Sequence, residues 1–195
     1  MNEKYELTEE FKEIETLREG WLQKIKVYRI RALRAFADVK IGDLGGFVET
    51  KQNLSNMGNA WVYGNAEVYG DAKVCNNARV YGNAKVYGNA KVCGDAKVYG
   101  NAEVCGDARV YGNANIFWCS SIGSRHATTT MFRNKDNGIT VTCGCFMGTL
   151  EEFAAIVEKE HGENIFGKEY KLLIELAKIH FGLQDETKGE EENGI

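Results

Sequence analysis

The sequence predicts a mainly β protein whose middle third is a parallel β-solenoid held between two different caps. Three observations carry that prediction. An aliphatic residue recurs every six positions, at Val62, Val68, Val74, Val80, Val86, Val92, Val98, Val104, Val110 and Ile116. An alanine stands two residues before each of them, from Ala60 to Ala114. A Gly-Asn or Gly-Asp pair closes most units, as at Gly64-Asn65, Gly82-Asn83 and Gly94-Asp95. A strict short period with a phased aliphatic is the signature of stacked coils. Residues two apart on a strand share a face, so alanine and valine point to the same side. Glycine and asparagine tolerate positive φ, so each pair reads as a corner.

The flanks follow other rules. Thr8 to Glu19 reads as a short helix, with Phe11, Ile14 and Leu17 on one side and Gly20 as its stop. Ile25 to Phe36 reads as a strand, with Tyr28, Ile30 and Ala32 alternating against Arg29, Arg31 and Leu33. Ile41 to Val48 reads as a degenerate first coil, followed by a loop around residues 52–56. Past Ser124 the period is lost. Thr128 to Arg133 and Ile139 to Thr142 are β-prone and joined across Asn137-Gly138, a hairpin signal. Thr149 and Glu152 form a capping box that opens a helix to about Glu160, ended by Gly162. A second helix is predicted from Lys168 to Phe181. The domain reading is therefore an N-terminal helix and strand cap (1–50), the repeat array (51–124), a small α+β cap of a hairpin plus two helices (125–183), and a disordered acidic tail (184–195).

Composition narrows the function. The chain has 195 residues and a formal net charge of −4, which argues against general nucleic-acid binding. No apolar run reaches membrane-spanning length and no signal peptide opens the sequence, so the expectation is a cytoplasmic protein with no membrane partner. The six cysteines are Cys75, Cys93, Cys105, Cys119, Cys143 and Cys145. Cys75 and Cys93 are eighteen apart and would lie side by side in adjacent coils. A disulfide between them is geometrically allowed, but a reducing cytosol predicts free thiols. Cys143-Gly144-Cys145 lacks zinc-site spacing, and neither a metal nor a cofactor is expected.

The array resembles the hexapeptide repeat of the left-handed parallel β-helix, which closes a triangular coil with three hexads. That resemblance implies the handedness and the coil of eighteen. The whole arrangement resembles uncharacterised phage and prophage hexapeptide-repeat proteins. The resemblance is carried by Arg29-Ile30-Arg31-Ala32-Leu33, Gly42-Asp43-Leu44-Gly45-Gly46-Phe47-Val48-Glu49, the Val-Tyr-Gly-Asn-Ala array, and Cys143-Gly144-Cys145-Phe146 with Gly148 to Phe153. More distantly the repeat is similar to hexapeptide acyltransferases and γ-class carbonic anhydrases. Those enzymes use histidines from the coils, and here the histidines are His126, His161 and His180, all outside the array. His126 is the one candidate general base.

Sorting outward positions by eighteens gives three faces. The first carries Tyr63, Tyr81, Tyr99 and Phe117 beside Trp61, Arg79 and Lys97. Such proteins commonly trimerise through prism faces, so Trp61, Tyr63, Tyr81, Tyr99 and Phe117 are the expected homotrimer interface. The second face carries Tyr69, Tyr87 and Cys105 beside Glu67, Lys85 and Glu103, and reads as a solvated, charge-balanced surface. The third stacks Lys73, Lys91 and Arg109 beside Cys75, Cys93 and Tyr111. Like charges in a column need an anion or a partner's acids. The sequence therefore predicts a non-enzymatic solenoid that binds a small anionic ligand, such as a host nucleotide signal, in an intersubunit groove. The ligand residues would be Lys73, Lys91, Arg109 and Tyr111, with Arg29, Arg31 and Arg34 as further candidates. The alternatives are an acyltransferase using His126 and a rigid spacer that presents the C-terminal cap to a host protein.

Overall fold

The computed structural model describes residues 3–18 and 20–183. The predicted acidic tail, and Glu19 at the end of the predicted N-terminal helix, lie outside the described residues. The chain opens with an antiparallel hairpin, β1 (Tyr5–Arg18) and β2 (Trp21–Ala32), followed by β3 (Leu44–Val48). Nine two-residue strands come next: β4 (Trp61–Val62), β5 (Glu67–Val68), β6 (Lys73–Val74), β7 (Arg79–Val80), β8 (Lys85–Val86), β9 (Lys91–Val92), β10 (Lys97–Val98), β11 (Glu103–Val104) and β12 (Arg109–Val110). They pair in parallel at a spacing of eighteen, as Trp61 with Arg79 and Lys97, or Lys73 with Lys91 and Arg109. This makes three faces: β4-β7-β10, β6-β9-β12, and β5-β8-β11, the last continuing through β3 to the hairpin.

The period has a plain physical cause. Every alanine from Ala60 to Ala108 and every valine from Val62 to Val110 is completely buried, filling a thin core with one small and one branched residue per hexad. Backbone groups are satisfied between coils, as in Lys73 N–H to Ala90 O at 2.9 Å and Cys75 N–H to Val92 O at 3.0 Å. The corner asparagines do more than allow a turn. The Asn59 amide donates to Asn77 Oδ1 (3.2 Å), and the Asn77 amide donates to Asp95 Oδ1 (3.1 Å), forming a ladder along the corner. Where the corner glycine is missing, Asn76 takes its left-handed conformation (φ 58).

The N-terminal segment corrects the predicted helix. Residues 8–18 are strand, paired with β2 in a register that sets Glu13 against Lys26, Glu15 against Lys24 and Ile14 against Ile25. These cross-strand partners outweigh the three-residue spacing of Phe11, Ile14 and Leu17. The hairpin also corrects the second face. Ile14 and Ile25 pack onto a buried cluster of Val27, Phe47 and Tyr69, and Tyr69 stacks on Tyr87 at 5.0 Å. Lys12 lies 3.3 Å from the Glu67 carboxylate and 4.0 Å from the Phe47 ring centroid. The expected solvated surface is therefore covered by the N-terminal hairpin at Glu67 and Tyr69, while Lys85 and Glu103, 4.0 Å apart, remain partly exposed as an opposite-charge pair.

At the far end, β13 (Ile116–Ile122), β14 (Ala127–Arg133), β15 (Ile139–Cys143) and β16 (Phe146–Thr149) form an antiparallel sheet, against which α1 (Leu150–His161) and α2 (Ile165–Phe181) pack. The capping box at Thr149 and Glu152 is present. The sheet starts at Ile116, earlier than the predicted boundary, because β13 leaves the array to pair with β14. Ile116 and Phe132 close the solenoid core, and Thr142 Oγ1 donates to Glu103 O at 3.3 Å, which ties the cap to the last coil.

Candidate functional site

On β6, β9 and β12 the valine faces the core, so the residue before it must face outward. Parallel pairing then stacks Lys73, Lys91 and Arg109 in one column, at the roughly 4.8 Å inter-strand spacing of a sheet. The column lines a groove of about 450 Å³ that runs over the adjoining corner, with Gln52, Gly70, Asp71, Asn89 and Asp107 on its other side. Among the described residues, neither Lys73 Nζ nor Lys91 Nζ has a hydrogen-bond or ion-pair partner. Arg109 is fixed more firmly. Its Nη1 donates to Ala108 O at 2.9 Å and to Asn89 O at 3.1 Å. Asp107, two residues before it, lies 3.2 Å from Lys135 Nζ and accepts from the Asn89 amide. Lys135, more than Asn89, holds the Asp107 carboxyl below its usual range. The groove thus presents three stacked cations, faced across the corner by the carboxylates of Asp71 and Asp107.

One polar residue that sequence reading passed over shapes this groove. Asn53 is buried, and its amide donates to Gly70 O (2.8 Å) and Ala72 O (2.9 Å) while its Oδ1 accepts from Thr50 N–H (2.8 Å). It pins the corner that forms the groove floor. Its only sequence signal is an asparagine just before Leu54, which bridges to Val74 and extends the column's coil backward.

Residues 78–94, a stretch about one coil long, match the YdcK beta-solenoid repeat family model. The chain is a β-solenoid repeat protein. No curated protein matches it.

The solenoid brings some expected ligand residues together and separates others. Tyr111 is on the same face as the column but is 54% exposed and does not line the groove. Arg29 and Arg31 belong to β2, in the sheet of the second face, and each has an internal task. Arg29 lies 2.8 Å from the Glu10 carboxylate, donates to Gly45 O at 2.8 Å and covers the Phe47 ring. Arg31 donates through Nε to Glu6 at 2.7 Å, and Arg34 donates to Asn56 O at 3.0 Å. The predicted basic cluster is therefore structural pairing within the N-terminal cap. Cys75 and Cys93, expected as free thiols, are joined by a disulfide beside the cation column, while Cys105, Cys119, Cys143 and Cys145 are free.

The aromatic face is altered at both ends. Trp61 is 1% exposed, sealed beneath Tyr5 and Phe36 at ring distances of 6.1 and 5.3 Å, so it offers no outer surface. Tyr63, Tyr81 and Tyr99 do form a strip, with Tyr81 stacked on Tyr99 at 4.9 Å. Its last member is Trp118, edge-on to Tyr99 at 4.5 Å. Phe117 instead turns into the cap, 5.3 Å from His180. Tyr63 donates to Asp38 at 3.0 Å, and burial, with Asp38 second, pushes its hydroxyl up to about 12.

None of the histidines reaches the cation column. His126 sits exposed on the β13–β14 turn, its own N–H donating to Gly123 O at 3.1 Å. His161 lies between Tyr170 and Phe166 at 5.7 and 6.2 Å. Among the described residues no group of three or more His, Cys, Asp or Glu side chains is placed to hold a metal ion, and no helix is long and apolar enough to cross a membrane.

Proposed function

We propose that this solenoid is a non-catalytic binding protein that holds a small phosphorylated ligand, such as a nucleotide, on the Lys73–Lys91–Arg109 column. The observation that supports this reading is the column itself: three cations in register, two of them without partners among the described residues, along a groove of about 450 Å³. Phosphate oxygens are the acceptors that a stack of ammonium and guanidinium groups fits, since charge-assisted hydrogen bonds are roughly twice as strong as neutral ones. In this proposal the protein self-associates as a homotrimer through the Tyr63–Tyr81–Tyr99 strip, and a neighbouring subunit closes the groove. Made by a phage, such a protein would sequester a host nucleotide signal. The exposed backbone-bonded turn that carries His126 gives the acyltransferase reading no comparable support.

Isothermal titration of the full chain against linear and cyclic nucleotides tests the proposal. Saturable heat with at least one of them, lost in Lys91→Gln, supports it. Heat with none of them removes the nucleotide reading.

A further inference from the structure

A second concave site lies in the C-terminal cap and shares no residue with the cation column. It measures about 330 Å³, within the range of small-ligand pockets. The β13–β14 turn, the β15–β16 turn, α1 and Tyr170 of α2 contribute its walls. One half is apolar. Phe153 and Val157 belong to the cap core, the half-buried Phe146 stands 5.4 Å from the Phe153 ring, and Ile156 remains 42% exposed. The cap therefore leaves an oily wall open to solvent where α1 could have carried polar residues.

The other half is polar and incompletely paired. Arg125 is exposed at the mouth and has no hydrogen-bond or ion-pair partner among the described residues. Two acids stand near it: Glu160, which lines the same pocket and lies 3.8 Å from Lys159 Nζ, and Glu169, which accepts from Gly123 N–H at 3.0 Å. Tyr170 is 6% exposed, and among the described residues its hydroxyl has Cys143 Sγ, at 3.7 Å, as its hydrogen-bond partner. A thiol at that distance is a weak partner, so a buried O–H keeps most of its hydrogen-bonding capacity. Burial, ahead of Cys143, raises the hydroxyl's pKa, so it stays a donor. The hydroxyl is held over Gly123, where a Cβ would fall 1.9 Å from it; a side chain there would displace the ring.

We propose that this cap pocket binds a small organic carboxylate with an aromatic or branched apolar body. The Arg125 guanidinium holds the carboxylate, the Tyr170 hydroxyl donates a further hydrogen bond, and the body lies on Phe146 and Ile156. An unpaired guanidinium selects for the anion, and the open apolar wall selects against inorganic anions.

Amide NMR of the full chain, titrated with phenylacetate, phenylacetamide and acetate, tests this. Phenylacetate should give saturable shifts at Gly144, Ile156 and Tyr170. The neutral amide and the bodiless acetate should each bind about tenfold more weakly or worse, as loss of a charge-assisted contact or of the apolar contact requires. Arg125→Gln, at an exposed position, should weaken phenylacetate about tenfold without changing the melting temperature, and Arg125→Lys should restore part of the loss. Equal binding of amide and acid, indifference to Arg125→Gln, or no saturable shift at these residues would each overturn the proposal. Nucleotide binding at the cation column has no bearing on these outcomes.

Discussion

Lys4 is a completely buried lysine, and its ionisation should be readable in the protein's stability. Its ammonium donates to Ala60 O at 2.9 Å and lies 5.0 Å from the Phe36 ring centroid, at the sealed end of the solenoid core. Burial, with repulsion from Arg34 second, lowers its pKa from 10.5 to about 8. The unfolded chain therefore binds more protons than the folded one between those two values, and stability must rise with pH across that window. The contribution is complete above 10.5 and is lost as pH falls through 8. At about 1.4 kcal/mol per pH unit, the interval corresponds to about 3 kcal/mol. Buried tyrosines oppose this at the alkaline end, because burial raises the pKa of Tyr69 and Tyr87 and their folded forms lose stability once the unfolded phenols ionise. The clean quantity is thus the difference between the wild type and Lys4→Met, in which the tyrosine terms cancel. Urea unfolding at intervals from pH 7.5 to 10.5 should show the wild type gaining about 3 kcal/mol on the variant. Parallel curves would refute the reasoning and mean that Lys4 reaches water.

Three further outcomes follow from the coils. Gly94→Ala should cost about 2 kcal/mol or more, since φ there is +65 and the new Cβ would fall 2.3 Å from Tyr111 O, whereas Gly112→Ala, at φ −174 with open space around it, should stay within about 0.5 kcal/mol in the same unfolding assay. Thiol counting on the denatured, unreduced chain should find four free cysteines, and reduction of Cys75–Cys93, which spans eighteen residues, should lower stability by about 3 kcal/mol. Asn53→Ala removes donors from two carbonyls under the groove and should cost about 2 kcal/mol by urea unfolding.

The array was legible because its core is one residue deep: with an alanine and a valine inside each hexad, a slip of one residue would bury a charged side chain in nearly every unit, so the phase is fixed. The spacing of eighteen also placed Lys73, Lys91 and Arg109 in one column and Cys75 next to Cys93. What it could not show is which faces the rest of the chain would cover. Residues 8–18 carry apolar residues three apart, which reads as a helix; their partners, Lys24, Ile25 and Lys26, lie across a turn and become visible only once β1 and β2 pair. The same misreading leaves Arg29 and Arg31 looking free: Glu10, the partner of Arg29, falls in that helix, and Glu6, the partner of Arg31, lies just before it and meets Arg31 only once β1 pairs with β2. Phe117 and Trp118 exchanged roles for a related reason: β13 obeys the pairing of the cap sheet, and the prism's six-residue beat ends with Ile116. The cap pocket was illegible because its walls come from two turns and two helices far apart in sequence.

The most direct test of the central claim is calorimetric binding of pyrophosphate to the wild type, Lys91→Gln and Arg31→Gln. Loss of one charge-assisted hydrogen bond removes about 1.5–3 kcal/mol, so Lys91→Gln should weaken binding at least about tenfold. Arg31→Gln should leave it unchanged, because that guanidinium is already paired with Glu6. No binding by the wild type, or equal losses in the two variants, would contradict the assignment of the Lys73–Lys91–Arg109 column as the anion site.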